Sequence, residues 1–297
     1  MQTDISFNSK GLECRGWLFA PDGIKTGTKL PAIVMAHGFS AVKEQGLSDF
    51  AEYFSTAGFI VLVFDYRFFG DSEGEPRCQL YPLEMVEDYR NAITWLSEHA
   101  NVDRDRIGIW GTSYSGGLVA YVGAIDKRAK AVVAQVPSII DPESRRNMNP
   151  EKWDSVGEFL LQDRIARYST GKVNYMKVVA PEGEPCILPG QENYDALTGM
   201  APDAPNWRNE ITVESLEKIR EFDPVSRIHL IAPRAFLIIA AEKDNLIPLE
   251  AVSRSFHKAL EPKDLIVHPI LHFDIYSDPW KTKAANAAID WFEKYLK

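Results

Sequence analysis

The segment Gly111-Thr112-Ser113-Tyr114-Ser115-Gly116-Gly117 follows the apolar run Ile107-Gly108-Ile109-Trp110 without a gap. A serine at a sharp strand-to-helix turn holds its hydroxyl above a sheet. The turn is so tight that the residues two positions to either side must be small. Gly111 meets that demand; Ser115 stands where a second glycine is usual and is still small. Gly116 and Gly117 let the following helix start close to the sheet. The first N–H groups of that helix have no intrahelical partners and face the same place. The chemistry this predicts is nucleophilic attack by Ser113 on an electrophilic carbon.

A serine hydroxyl near neutral pH needs an adjacent base, usually an oriented imidazole. The chain has six histidines: His37, His99, His229, His257, His268 and His272. His99 ends one helical pattern and His257 lies inside another. His229 precedes a long apolar run, and His268 lies within a strand pattern. His272 follows that strand at its carboxyl end, on the edge expected for Ser113. His37 also ends a strand, but it leads into Gly38-Phe39, which suits a loop whose amides face the site. His272 is therefore the expected base. The carboxylate that orients it is expected at Asp244, in the turn Glu242-Lys243-Asp244-Asn245 after the apolar run Ala235–Ala241. Glu242 is the near competitor; Asp274 and Asp278 are too close in sequence to His272 to approach its far side.

These groups need a scaffold. Pro31–Ala36 and Phe59–Phe64 are continuous apolar runs, the mark of strands buried on both faces. Residues 5–7 and 12–20 read as two short strands around Lys10-Gly11, and Ala131–Val136 and Leu265–His268 as further strands. Helical spacing covers 46–57, 84–99, 249–260 and 280–296. This alternation predicts an α/β fold: a mostly parallel, doubly wound sheet with helices on both faces and chemistry in the loops at the carboxyl strand ends.

Residues 138–222 break the rhythm with frequent prolines. They carry one amphipathic pattern at 151–168, striped by Trp153, Val156, Phe159 and Leu160. The expected organisation is a core of 1–137 and 223–297 with a cap inserted at 138–222. Cap aromatics such as Trp153, Phe159, Tyr175 and Trp207 are candidates for a substrate pocket or for the cap's own packing. Arg145-Arg146 and the mixed charges at 161–167 read as solvated surface.

Bulk properties narrow the class. Thirty-three Lys and Arg against 42 Asp and Glu leave a net charge of −9, which argues against a nucleic-acid partner. Hydrophobic residues are 45% of 297, enough for a large buried core. Cys14, Cys78 and Cys186 are far apart and form no C-x-x-C pair, so free thiols are expected rather than disulfides or a zinc site. The N-terminus lacks the pattern of a secretory signal, and no run approaches the ~18 apolar residues of a membrane span. A cytoplasmic setting is the expectation, with a homodimer possible through the cap or the last helix.

The order Ser113, Asp244, His272 resembles that of a serine α/β-hydrolase carrying a cap. Several segments share the resemblance: His37-Gly38-Phe39, Asp65-Tyr66-Arg67-Phe68-Phe69-Gly70-Asp71-Ser72-Glu73-Gly74, the Ser113 turn, the Asp244 turn and His272-Phe273-Asp274-Ile275-Tyr276. The chain is most similar to the dienelactone-hydrolase and Xaa-Pro-peptidase-like branch, which includes hydrolases of polyketide and natural-product metabolism. The resemblance implies an oxyanion hole from the backbone N–H groups of Phe39 and Tyr114. It implies cleavage of a carboxylic ester or related acyl bond of a small-molecule substrate, with no metal and no cofactor. Thioesterase, acyltransferase or carbon–carbon hydrolase chemistry is the alternative, as is a silent binding protein on the same fold. Phe68 departs from the family's usual glycine and is a further pocket candidate.

Overall fold

The computed structural model describes residues 1–25 and 27–297. The chain begins with a hairpin of β1 (Gln2–Ser9) and β2 (Leu12–Phe19), paired from Ser9 opposite Leu12 outward. Lys10 and Gly11, the two turn residues, have φ of 55° and 88°. Positive φ at both positions gives the twist that joins antiparallel strands most tightly.

There follow β3 (Leu30–Ala36), α1 (Leu47–Thr56), β4 (Ile60–Phe64), α2 (Pro82–Ser97), β5 (Val102–Thr112), α3 (Tyr114–Ile125) and β6 (Ala129–Gln135). The sheet has eight strands. With β9 (Ala235–Ala241) and β10 (Lys263–His268), its order is β1-β2-β4-β3-β5-β6-β9-β10. Only β1–β2 and β2–β4 pair antiparallel. The remaining neighbours are parallel.

The apolar runs are central because both faces are covered. On β4, Ile60, Leu62 and Phe64 join one core, and Val61 and Val63 join the other. The period of two splits each strand between two layers. α2, α3 and α8 (Leu249–Lys258) close the first face; α1 and α9 (Trp280–Leu296) close the second. In register, Ala36 lies beside Gly111 and Gly111 beside Ala134. The loops after β3, β5, β9 and β10 therefore open on one edge.

Residues 138–222 leave the sheet after β6 and return before β9. They hold α4 (Pro142–Met148), α5 (Pro150–Thr170), β7 (Tyr175–Lys177), α6 (Gln191–Gly199), β8 (Glu210–Thr212) and α7 (Val213–Glu221), with β7 and β8 forming a small antiparallel pair. Asp141 caps α4 through the Ser144 N–H at 2.9 Å, and Asn149 caps α5 through that of Lys152 at 2.9 Å. Each cap precedes a proline at the first helical position, where no N–H is needed.

The charges at 161–167 are not simple solvated surface. Arg167 holds Asp163 at 2.7 Å, Glu214 at 2.8 Å and Glu217 at 3.1 Å, joining α5 to α7. Arg164 adds a second contact to Glu217. Side-chain ties also run from this segment to the sheet: Trp207 Nε1 donates to the Ser40 carbonyl at 2.9 Å, Asn206 donates to Asp71, and Asn245 donates to Glu192.

Candidate active site

Ser113 sits between β5 and α3 with φ 55° and ψ −119°, a conformation a side chain adopts only under strain. The surroundings hold it there. Its N–H donates to the Gln135 carbonyl at 2.8 Å, and its own carbonyl accepts from Gly116 at 3.0 Å and Ser138 at 2.8 Å. A Cβ at Gly111 would lie 2.4 Å from the Ser115 carbonyl oxygen, so that position admits only glycine. A Cβ at Gly38 would meet the Ser113 Cβ at 3.1 Å, so the loop after β3 passes directly against the nucleophile turn.

His272 Nε2 lies 3.0 Å from Ser113 Oγ, and its Nδ1 lies 2.6 Å from Asp244 Oδ2. The imidazole is 1% exposed. The second Asp244 oxygen accepts from the N–H groups of Leu246 and Ile247, each at 2.8 Å. Those two bonds fix the carboxylate plane, and the carboxylate in turn fixes the ring. Glu242 is exposed, and its backbone only continues the pairing to His268. Asp274 is turned back to the Leu271 N–H at 2.9 Å. His268 packs on Trp280, with ring centroids 5.2 Å apart.

The backbone N–H groups of Phe39 and Tyr114 flank Ser113. Neither donates to another group among the described residues. The two rings meet edge to face at 5.6 Å. His37 is fully buried, with Nδ1 3.0 Å from the Gly38 carbonyl. Burial drives its pKa down to about 4, so the ring is neutral at ordinary pH.

Behind this loop lies a charge cluster that runs from the buried Lys43 and Asp65 to the exposed Asp71. Glu44, Asp65 and Asp71 bring carboxylate oxygens together at a spacing that could hold a cation. The Lys43 ammonium stands among them, at 2.6 Å from Glu44, 2.9 Å from Asp65 and 2.5 Å from Asp71. Burial alone would lower the Lys43 pKa, but the carboxylates hold it above the ordinary range. The Lys43 N–H also donates to Asp65 at 2.7 Å. Since Asp71 also accepts from Asn206, the cluster ties the segment between β6 and β9 to the strand-end loops.

Ser113 opens into a chamber of about 40 Å³ walled by Leu188, Leu197, Met200, Leu246, Phe273 and Tyr276. Phe39, Leu188 and Leu246 also wall a larger adjoining cavity of about 490 Å³. Trp153 lines that larger cavity. The other aromatic pocket candidates lie elsewhere. Phe68 has φ 75°, and its ring packs on Gly74, whose added Cβ would fall 2.4 Å from it. Phe159 is 45% exposed. It is turned about 100° from its buried neighbour Leu160 by the helical period. Tyr175 is exposed on β7. Trp207 uses its indole N–H to hold the Ser40 carbonyl. Arg145 is half-buried against the larger cavity, not solvated surface. The wall residues Leu188, Leu197 and Met200 carry no periodic signal, because they come from loops and a short helix between β6 and β9. Tyr276 was visible only as part of the motif that begins at His272.

Comparison with known proteins agrees with this architecture. The quorum-quenching protein AidA of Acinetobacter baumannii (strain MDR-ZJ06) is 31% identical over 297 residues, covering 99% of this chain and 95% of its own. The thiohydrolase aneE of Aspergillus aculeatus is 32% identical over 261 residues, covering 85% and 80%. The crystal structure of the α/β-hydrolase GrgF from Penicillium sp. sh18 superposes with a TM-score of 0.85 at 26% identity, over 100% of this chain and 99% of that one. The model of the X-Pro dipeptidyl-peptidase (S15 family) matches residues 16–274. The chain belongs to that family of α/β-hydrolases.

Proposed function

We propose that this protein is a serine acyl hydrolase that opens an ester or thioester of a small-molecule acyl group through an acyl-enzyme on Ser113. The observation that carries the reading is the chain of contacts from Asp244 through His272 to Ser113, at 2.6 and 3.0 Å, beside two uncommitted amides. His272 takes the Ser113 proton as the hydroxyl oxygen bonds to the acyl carbon. The Phe39 and Tyr114 N–H groups hold the oxyanion, each worth about 2.7–4 kcal/mol. His272 then protonates the leaving group, and water activated by the same ring releases the acid and restores Ser113. The aneE relative, named a thiohydrolase, supports a thioester as one leaving-group class. The three free cysteines, two of them buried, suit a reducing intracellular compartment. Among the described residues no helix is long and apolar enough to cross a membrane.

The test is labelling with a fluorophosphonate, together with hydrolysis of p-nitrophenyl esters of graded acyl length. Wild type labels and turns over, and Ser113→Ala does neither. Labelling that survives Ser113→Ala overturns the assignment.

A further inference from the structure

The larger cavity beside Ser113 has an unusual lining for so acidic a chain. Its charged residues are Arg145, Lys152 and Arg220, with no Asp or Glu among the lining residues. The net charge of the whole chain is −9, so the cationic wall is a local concentration. None of the three forms an ion pair among the described residues. Arg145 donates only to the backbone carbonyls of Ile219 at 3.0 Å and Ile140 at 2.9 Å. A guanidinium has five N–H donors, so three of its own are uncommitted. Arg220 donates to the Trp153 carbonyl at 2.8 Å and stacks on that ring at 3.7 Å. Burial lowers the pKa of both arginines, against the opposing pull of Asp223 and Asp141 on Arg145 and of Asp154 on Arg220, none of which pairs directly with them.

A second observation points into the same space. Tyr114, the residue after the nucleophile, is 7% exposed and lines this cavity. Its hydroxyl is buried with no hydrogen-bond partner among the described residues. A buried hydroxyl left unpaired costs about 1–3 kcal/mol, so a ligand oxygen that reached it would recover part of that.

Resting on the proposed acyl-hydrolase reading, we infer that this cavity selects a substrate carrying a carboxylate remote from the scissile carbonyl. Arg145 is its specificity-determining residue. Lys152 adds long-range attraction at the rim, and the Tyr114 hydroxyl adds a hydrogen bond. The apolar remainder of the cavity takes the chain that joins the two carbonyl ends.

The test reads binding apart from chemistry. Hexanoic anilide and adipic acid monoanilide, which differ only in the terminal carboxylate, are titrated into the Ser113→Ala protein by calorimetry. The anionic ligand binds more tightly by about tenfold or more, as expected for a charge-assisted contact. Adding Arg145→Met abolishes that advantage. Adding Lys152→Glu, at an exposed position that does not endanger folding, reduces it. Equal or weaker binding of the anionic ligand overturns the inference, as does an advantage that survives both substitutions. Failure of the underlying reading looks different. The binding preference would then persist while wild type hydrolysed neither p-nitrophenyl hexanoate nor mono-p-nitrophenyl adipate.

Discussion

The Ser115 hydroxyl lies 2.9 Å from that of Tyr66. Tyr89 joins the same group, at 3.2 Å from Ser115 and 2.7 Å from the Trp110 carbonyl. The serine that replaces the usual glycine of the nucleophile turn thus serves a fully buried hydroxyl network beneath it. Ser115→Ala leaves the Tyr66 hydroxyl without this partner. Chemical denaturation should register a loss of about 1–3 kcal/mol. Ester turnover per folded molecule should change far less, because the Ser113–His272 contact does not involve residue 115.

Asp244 accepts two backbone N–H bonds on one oxygen and faces His272 with the other. Asp244→Asn keeps the shape but presents an amide to Nδ1. The kcat for a p-nitrophenyl ester should fall by about 10⁴-fold, the scale seen when a triad carboxylate becomes an amide. Glu242→Gln, at the exposed neighbouring position, should stay within about threefold of wild type, as surface changes usually do. The reverse pattern would move the acid role to Glu242.

Lys43 is the only cation touching Glu44, Asp65 and Asp71 together among the described residues. Lys43→Met leaves the buried Asp65 facing other carboxylates. A loss of about 3–5 kcal/mol is expected, as when one partner of a buried ion pair is removed. Melting temperature at neutral pH is the measurement; an unchanged value would show that the cluster reorganises freely.

His37 gives stability a pH dependence of definite sign. Its folded pKa is about 4 against an ordinary 6.5, so between those values the unfolded chain binds a proton that the buried ring refuses. The stability tied to the neutral ring is complete above about pH 6.5 and is lost as pH falls toward 4. The full loss is about 3 kcal/mol. His37→Phe removes the titrating group, so its melting temperature should fall less than that of wild type from pH 7 to 4.5. Parallel curves would contradict this account.

The sheet was legible because its central strands are continuous apolar runs, and strands buried on both faces must be. The strand ends were legible for the same reason, and they bring Ser113, Asp244 and His272 to one edge. The segment between β6 and β9 was harder. On α5, Leu160 and Asp163 are the buried positions while Phe159 faces outward. A salt-bridged face reads like a solvated one in sequence until its partners on α7 are known. Arg145 reads as solvated surface in sequence for a related reason: its partners are backbone carbonyls, which leave no trace in residue identity. Phe68, with φ 75° where the related motif has glycine, has its ring on Gly74.

The backbone of Ser113 has a further consequence. At φ 55° and ψ −119°, the cheapest residue for the fold is glycine. Ser113→Gly and Ser113→Ala both lack the hydroxyl and differ only by a Cβ in a disfavoured conformation. The glycine protein should therefore be the more stable, by about 1–2 kcal/mol in denaturant. Fold stability and chemistry pull against each other at this one position. On the proposed reading, a descendant relieved of its reaction would gain stability by drifting to glycine there.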